Sequence, residues 1–231
     1  MNMNFAGAGT VAAGEYNEKI NIAGSGHIKG NIKCEGLESA GSTKSDGSIE
    51  CTGNIETAGS FFVSGSVRAG GKIKSAGSAK IDGSLKCDRL ESSGLLRTGE
   101  GIEAEEAEIT GTIECGGLLN AEKVDIRFDS GCHAGSIGGG EIKIRHGNAV
   151  TVNHVVDLPL FSKLVGKKDG GGFFTVDEYI EGDTVAVEYV SSPVVTGRIV
   201  AIGAGCEIET VRYSEQCEVS PDAKVGNTEK I

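Results

Sequence analysis

From Gly41 onward the chain alternates apolar and polar residues in short bursts that restart every six residues. Glycine stands at 41, 47, 53, 59, 65, 71, 77 and 83. Two residues after these glycines come Thr43, Ile49, Ile55, Phe61, Val67, Ile73, Ala79 and Leu85; four after them come Ser45, Cys51, Thr57, Val63, Ala69, Ser75, Ile81 and Cys87. Residues two apart share one face of a strand, so each hexad predicts a short strand with two inward positions. The first is usually large and the second usually small, with an outward polar residue such as Glu50, Arg68 or Lys74 between them. Glycine then turns the chain.

Six residues cannot make an independent hairpin, and near-identical hexads offer no distinct partners. Winding three hexads per coil and stacking the coils about 4.8 Å apart pairs every strand with its copy in the next coil. A longer period supports this: the segments at 30–34, 47–51, 65–69, 83–87 and 100–104 recur every 17 or 18 residues. A second series, Leu37, Ile55, Ile73 and Leu90, keeps the same spacing and carries Ala-Gly-Ser at 40–42, 58–60 and 76–78. The expectation is an all-β, three-sided parallel β-helix of about 17–18 residues per coil. Helix is disfavoured through 1–150, because frequent glycine costs roughly 1 kcal/mol each relative to alanine and no 3.6-residue apolar stripe appears.

The hexads fade beyond Ile113, although Leu118, Val124 and Ile126 continue an apolar alternation. Between Asp157 and Gly172 the composition changes, which predicts a projecting loop or short helix. Strand-like runs return at Val185–Val190, Val194–Ile202 and Ile208–Tyr213. The chain therefore divides into an amino-terminal tail (1–19), a β-helix core (20–156), the loop or short helix (157–175) and extra carboxy-terminal coils (176–231).

Composition narrows the class. The 231 residues include 37 glycines, about 16 % and roughly twice the usual share. The three prolines, Pro159, Pro193 and Pro221, leave 1–158 proline-free, which argues against a disordered linker and against collagen. No 18-residue apolar run occurs, and Met1–Phe5 lacks the basic residues and long apolar stretch of a signal peptide, so a soluble cytoplasmic chain is expected. A net charge of −11 speaks against nucleic acid as a partner.

Chemistry-bearing residues give few leads. Cys34, Cys51 and Cys87 share one inward column with Ala69 and Ala104, which marks a small buried apolar position rather than a thiolate metal column. Cys34 and Cys51 fall on adjacent coils within bridging reach, and the missing export signal predicts that they stay reduced. Cys132-His133, His146 and His154 lack ligand spacing. Hexapeptide acyltransferases share the six-residue period, but here glycine follows the aliphatic residue by four, and 28–132 contain no histidine. Glu38 and Glu56 are the adjacent carboxylates that a sugar hydrolase would need. With Lys74 and Glu91 continuing their column, they read as surface ion pairing, and Glu178, Glu181, Asp183 and Glu188 as a solvated edge. No catalytic residue, metal ligand or cofactor contact is assigned.

The tandem hexads over 30–120, the Ala-Gly-Ser corners and the stretch Gly197–Tyr213 together resemble the bactofilins, in particular the longer polymer-forming cytoskeletal proteins of Bacillus-type bacteria. The carboxy-terminal part of the resemblance covers 176–231, including Glu178–Glu188. It implies a right-handed β-helix that polymerises end to end into non-polar filaments without nucleotide. The implied role is a scaffold for cell shape, envelope organisation or motility and flagellum assembly. The partners so implied are further copies of the chain, the cytoplasmic membrane face and envelope or flagellar proteins. The 157–172 insertion and the longer carboxy-terminal part depart from compact members of that family.

A solenoid's last coil exposes unpaired backbone groups, a template for another chain unless a cap covers it. On the sequence, Ile20 and Ile22 mark the amino-terminal contact, and Val211, Tyr213 and Val219 the carboxy-terminal one. Phe62, on the outward column Lys44, Phe62, Lys80, Arg97, is the candidate for lateral contact. The alternative is a non-polymerising β-solenoid adaptor at a membrane or polysaccharide surface.

Overall fold

A computed structural model describes residues 2–147 and 172–231. These form an all-β, parallel β-solenoid of about 12 turns. Strands pair in register with their copies one coil away: Ile20 opposes Leu37, Leu37 opposes Ile55, Ile55 opposes Ile73 and Ile73 opposes Leu90. Each early coil has three sides. In the third coil these are Leu37–Ser39, Thr43–Ser45 and Ile49–Cys51, with both ends of each triplet buried and its centre exposed. The two inward positions per hexad therefore stand as expected.

Stacked aliphatic side chains fill the prism from end to end. Each Ile, Leu or Val so buried contributes about 1.5–3 kcal/mol relative to remaining in water. The smaller inward positions have a second use at the corners. Ser45 Oγ donates to the carbonyl of Gly47 at 3.0 Å and Thr98 Oγ1 to that of Glu100 at 2.9 Å, so a hydroxyl inside the prism satisfies a turn carbonyl two residues on. The same corner is also held by a ladder running between coils. Asn31 Oδ1 accepts from Ser48 N at 2.8 Å, Ser48 Oγ from Ser66 N at 3.1 Å, and Ser66 Oγ from Ser84 N at 3.2 Å.

The corner between the first two sides requires glycine. Gly24, Gly41, Gly59, Gly77, Gly94 and Gly111 stack on one another with φ between 111° and 121°. A Cβ on any of them would sit 2.2–2.5 Å from the carbonyl oxygen of the glycine beneath. Sharp turning and close coil approach both exclude a side chain there.

Three sequence expectations need correction. Residues 1–19 are not a tail: Asn2–Glu15 is a strand that pairs with Lys19–Lys33 and makes the first coil. Past Ile113 the winding continues, but Leu118 points outward, and Leu119 with Ala121 supplies the inward pair. Residues 157–171, expected as a loop or short helix, lie outside the described residues, whereas Phe174 and Thr175 belong to the strand Phe174–Val176. The first coil step after it is tighter. Val185 opposes Val200 at a spacing of 15, where earlier coils advance 17 or 18.

Candidate functional site

Among the described residues, two places expose the solenoid's interior: its first and last coils. At the amino-terminal end Asn2–Glu15 pairs, among the described residues, only with the strand after it, so its other edge carries N–H and C=O groups that no described strand meets. Met3 and Phe5 on this edge are half-buried, and no charged residue occurs between 2 and 14. Gly7 heads the glycine ladder, and a Cβ placed on it would meet nothing within 4 Å. That open space is where a preceding coil would lie.

At the other end, among the described residues, Lys224–Lys230 pairs only with Glu207–Tyr213, and Gln216–Val219 covers Ile199–Ile202 with no described strand stacked beyond it. The column that opens with Met3 and Phe5 closes on Cys217 and Val219, and the one that opens with Gly9 and Val11 closes on Ala223 and Val225. Val219 is 42 % exposed and Ile231 67 %. This end is charged: Glu215, Glu218, Asp222, Lys224, Glu229 and Lys230 all lie in the last coil.

The predicted end residues are therefore placed differently. Ile20 and Ile22 are buried beneath Met3 and Phe5, and Val211 is buried beneath Thr228. Tyr213 is half-buried and covered by Lys230. Of the five, Val219 alone lies on a terminal coil. The true edges were legible: Ala6-Gly7-Ala8 precedes Ala23-Gly24-Ser25 by 17 residues, the period already evident downstream. Likewise Lys224–Lys230 follows Glu207–Tyr213 by 17.

Along the sides, Phe62 is half-buried rather than exposed, with Lys80 Nζ 5.1 Å from its ring centre. That cation–π contact accounts for an outward aromatic without any partner. Glu38 is paired with Lys19, while Glu56 and Lys74 line a shallow groove of about 500 Å³ floored by the alanines of the corner ladder. Arg89 reaches Glu91 at 2.9 Å, Glu106, and Glu108 at 3.4 Å.

Beside Gly147 and Gly172, the rings of Phe128 and His146 lie 5.2 Å apart, those of Phe128 and Phe174 5.7 Å, and those of His146 and Tyr189 5.0 Å. Tyr189 adopts a left-handed φ of 53°. Beside it Glu188 is buried, contrary to the expected solvated edge, and burial pushes its carboxyl pKa up against the weaker pull of Arg145. Arg145 is itself held by Asp125 at 2.6 and 2.7 Å.

Among the described residues no group of three or more His, Cys, Asp or Glu is placed to hold a metal ion, and no helix is long and apolar enough to cross a membrane. All seven cysteines are free. Burial raises the thiol pKa of Cys87 and of Cys206 to about 12.

The chain is similar to two proteins of Bacillus subtilis (strain 168), both described as uncharacterized. It is 31 % identical to YhbF over 103 residues, 42 % of this chain and 42 % of that protein. It is 30 % identical to YhbE over 118 residues, 50 % of this chain and 44 % of that protein. The matched stretches span less than half of either relative. No protein-family model matches the chain, and no solved structure matches it.

Proposed function

We propose that this chain is a non-enzymatic scaffold of bactofilin type that assembles end to end into filaments without nucleotide. The observation that carries the reading is the pair of open terminal coils. Each presents a strand edge with unpaired backbone groups over half-buried apolar positions, and among the described residues no cap covers either. An edge of that kind is a template for another strand. A second copy supplies one of the same geometry and spacing, with the inward columns running on across the junction. The sides, laced with ion pairs between neighbouring coils, serve as a platform for the cytoplasmic membrane face or for envelope and flagellar proteins. The scaffold works inside the cell, in shape, envelope organisation or motility.

Negative-stain electron microscopy of the purified chain, without nucleotide, tests this reading. Filaments with a thickness of one solenoid are expected. Dispersed rods about 58 Å long, the length of 12 coils at about 4.8 Å each, would favour a non-polymerising adaptor instead.

A further inference from the structure

Seven cysteines are distributed along the solenoid, yet only Cys34 and Cys51 occupy the same column on adjacent coils. Their backbones are in-register partners and their Sγ atoms lie 3.0 Å apart, both in the core at 4 % and 2 % exposure. A disulfide needs Cα atoms 4.4–6.8 Å apart and sulfurs about 2.05 Å apart. In-register strands about 4.8 Å apart meet the first condition with no backbone movement, and a small side-chain rotation meets the second. Cys87 has no such neighbour, because Ala69 and Ala104 occupy its column on the flanking coils. Cys132 stacks near Ile113 rather than on Cys115, whose in-register partner is Ala134.

We propose that Cys34 and Cys51 form a reversible redox staple that fastens the second coil to the third beneath the open amino-terminal end. The oxidant is a peroxide, small enough to reach a core position one coil from the end. One thiol sulfur attacks the peroxide oxygen, the O–O bond breaks, and a sulfenic acid and water form. The other sulfur then displaces the sulfenic oxygen as a second water. Two thiols and one peroxide thus give one S–S bond and two waters, the sulfurs losing two electrons and the peroxide gaining them. A low-molecular-weight thiol reverses the bond by exchange. The hydrogen bond between the two thiols, 3.0 Å apart with either able to donate, stabilises one sulfur as the thiolate that attacks first. The staple closes a loop between residues 17 apart and restrains the coils that would otherwise fray first.

The test treats the full chain with hydrogen peroxide, removes the oxidant, alkylates free thiols under denaturing conditions and maps peptides by mass. A second arm unfolds and refolds the chain in a glutathione redox buffer, so that access to the core does not limit the result. The expected product joins Cys34 to Cys51 with the loss of two hydrogens, reverts with dithiothreitol and is absent from Cys51→Ala. That variant keeps the fold, since alanine already fills this column at Ala69 and Ala104. Amide exchange over 19–51 should slow by about tenfold in the bridged form. Separate alkylation of both residues in both arms would overturn the proposal, as would a bond from Cys34 to Cys87.

Discussion

Replacing Gly59 with alanine probes the feature on which the winding depends. Gly59 has φ 111°, and its new Cβ would lie 2.2 Å from the carbonyl oxygen of Gly41 and 3.1 Å from its carbonyl carbon. Ordinary carbon contacts begin near 3.4 Å, so the corner would have to open by about 1 Å in a stack that repeats at about 4.8 Å. An L-residue in that backbone region costs about 1–3 kcal/mol, and overpacking a tight contact about as much again. The expected loss is about 2–5 kcal/mol. In a solenoid it falls on the nearest coils rather than on the whole molecule. Hydrogen exchange is therefore the appropriate assay, and amides in the third to fifth coils should exchange about 30-fold faster or more. Gly131→Ala is the control, because its Cβ would meet nothing nearer than Phe173 O at 4.0 Å. It should leave exchange unchanged or slow it slightly, as restricting the unfolded chain does. Equal exchange in the two variants would refute the argument that coil stacking forces glycine at this corner.

Two other perturbations separate buried from surface electrostatics. Glu188 has a folded-state pKa above its unfolded value, so folding takes up a proton between those two values and stability falls as pH rises through that window. Glu188→Gln should remove the slope and give a higher melting temperature than wild type above the window; identical pH–melting profiles would contradict the assignment. Arg89→Gln leaves Glu91, Glu106 and Glu108 without their shared cation, all on an exposed side. The cost should be about 1 kcal/mol or less in denaturant titration and should shrink in high salt; a larger or salt-independent loss would show that the network is worth more than its exposure implies.

The fold was legible because a stack of identical coils writes its period into the sequence. The columns through Ile55 and Val67 needed only a spacing rule, and the corner at Gly59 announced itself as the repeated glycine. The first coil was missed for a physical reason. Among the described residues Asn2–Glu15 has a neighbour on one edge only, and its inward positions carry Met3, Phe5 and Gly9 in place of repeated aliphatics, so the hydrophobic signal thins in this coil. Ile20 and Ile22 looked terminal because they were the first strongly apolar pair, although a terminal strand need not be strongly apolar. Leu118 misled for the opposite reason. It stands 17 residues after Gly101, in the corner place that Ser48, Ser66 and Ser84 hold in earlier coils, while its neighbour Leu119, 17 after Ile102, keeps the inward place. Glu188 could not be found by pattern at all, since its burial depends on how the coil beside Tyr189 packs.

Sedimentation velocity on the wild-type chain and on the double variant Ala8→Lys/Thr10→Lys tests the adhesive ends most directly. Both lysines would project from the open first strand, outside the core, with the circular dichroism spectrum as the check on folding. Wild type should sediment as a broad, concentration-dependent distribution of polymers, and the variant as monomers or at most dimers joined through the carboxy-terminal end. A single monomeric boundary for wild type at every concentration, or undiminished polymers in the variant, would contradict the account.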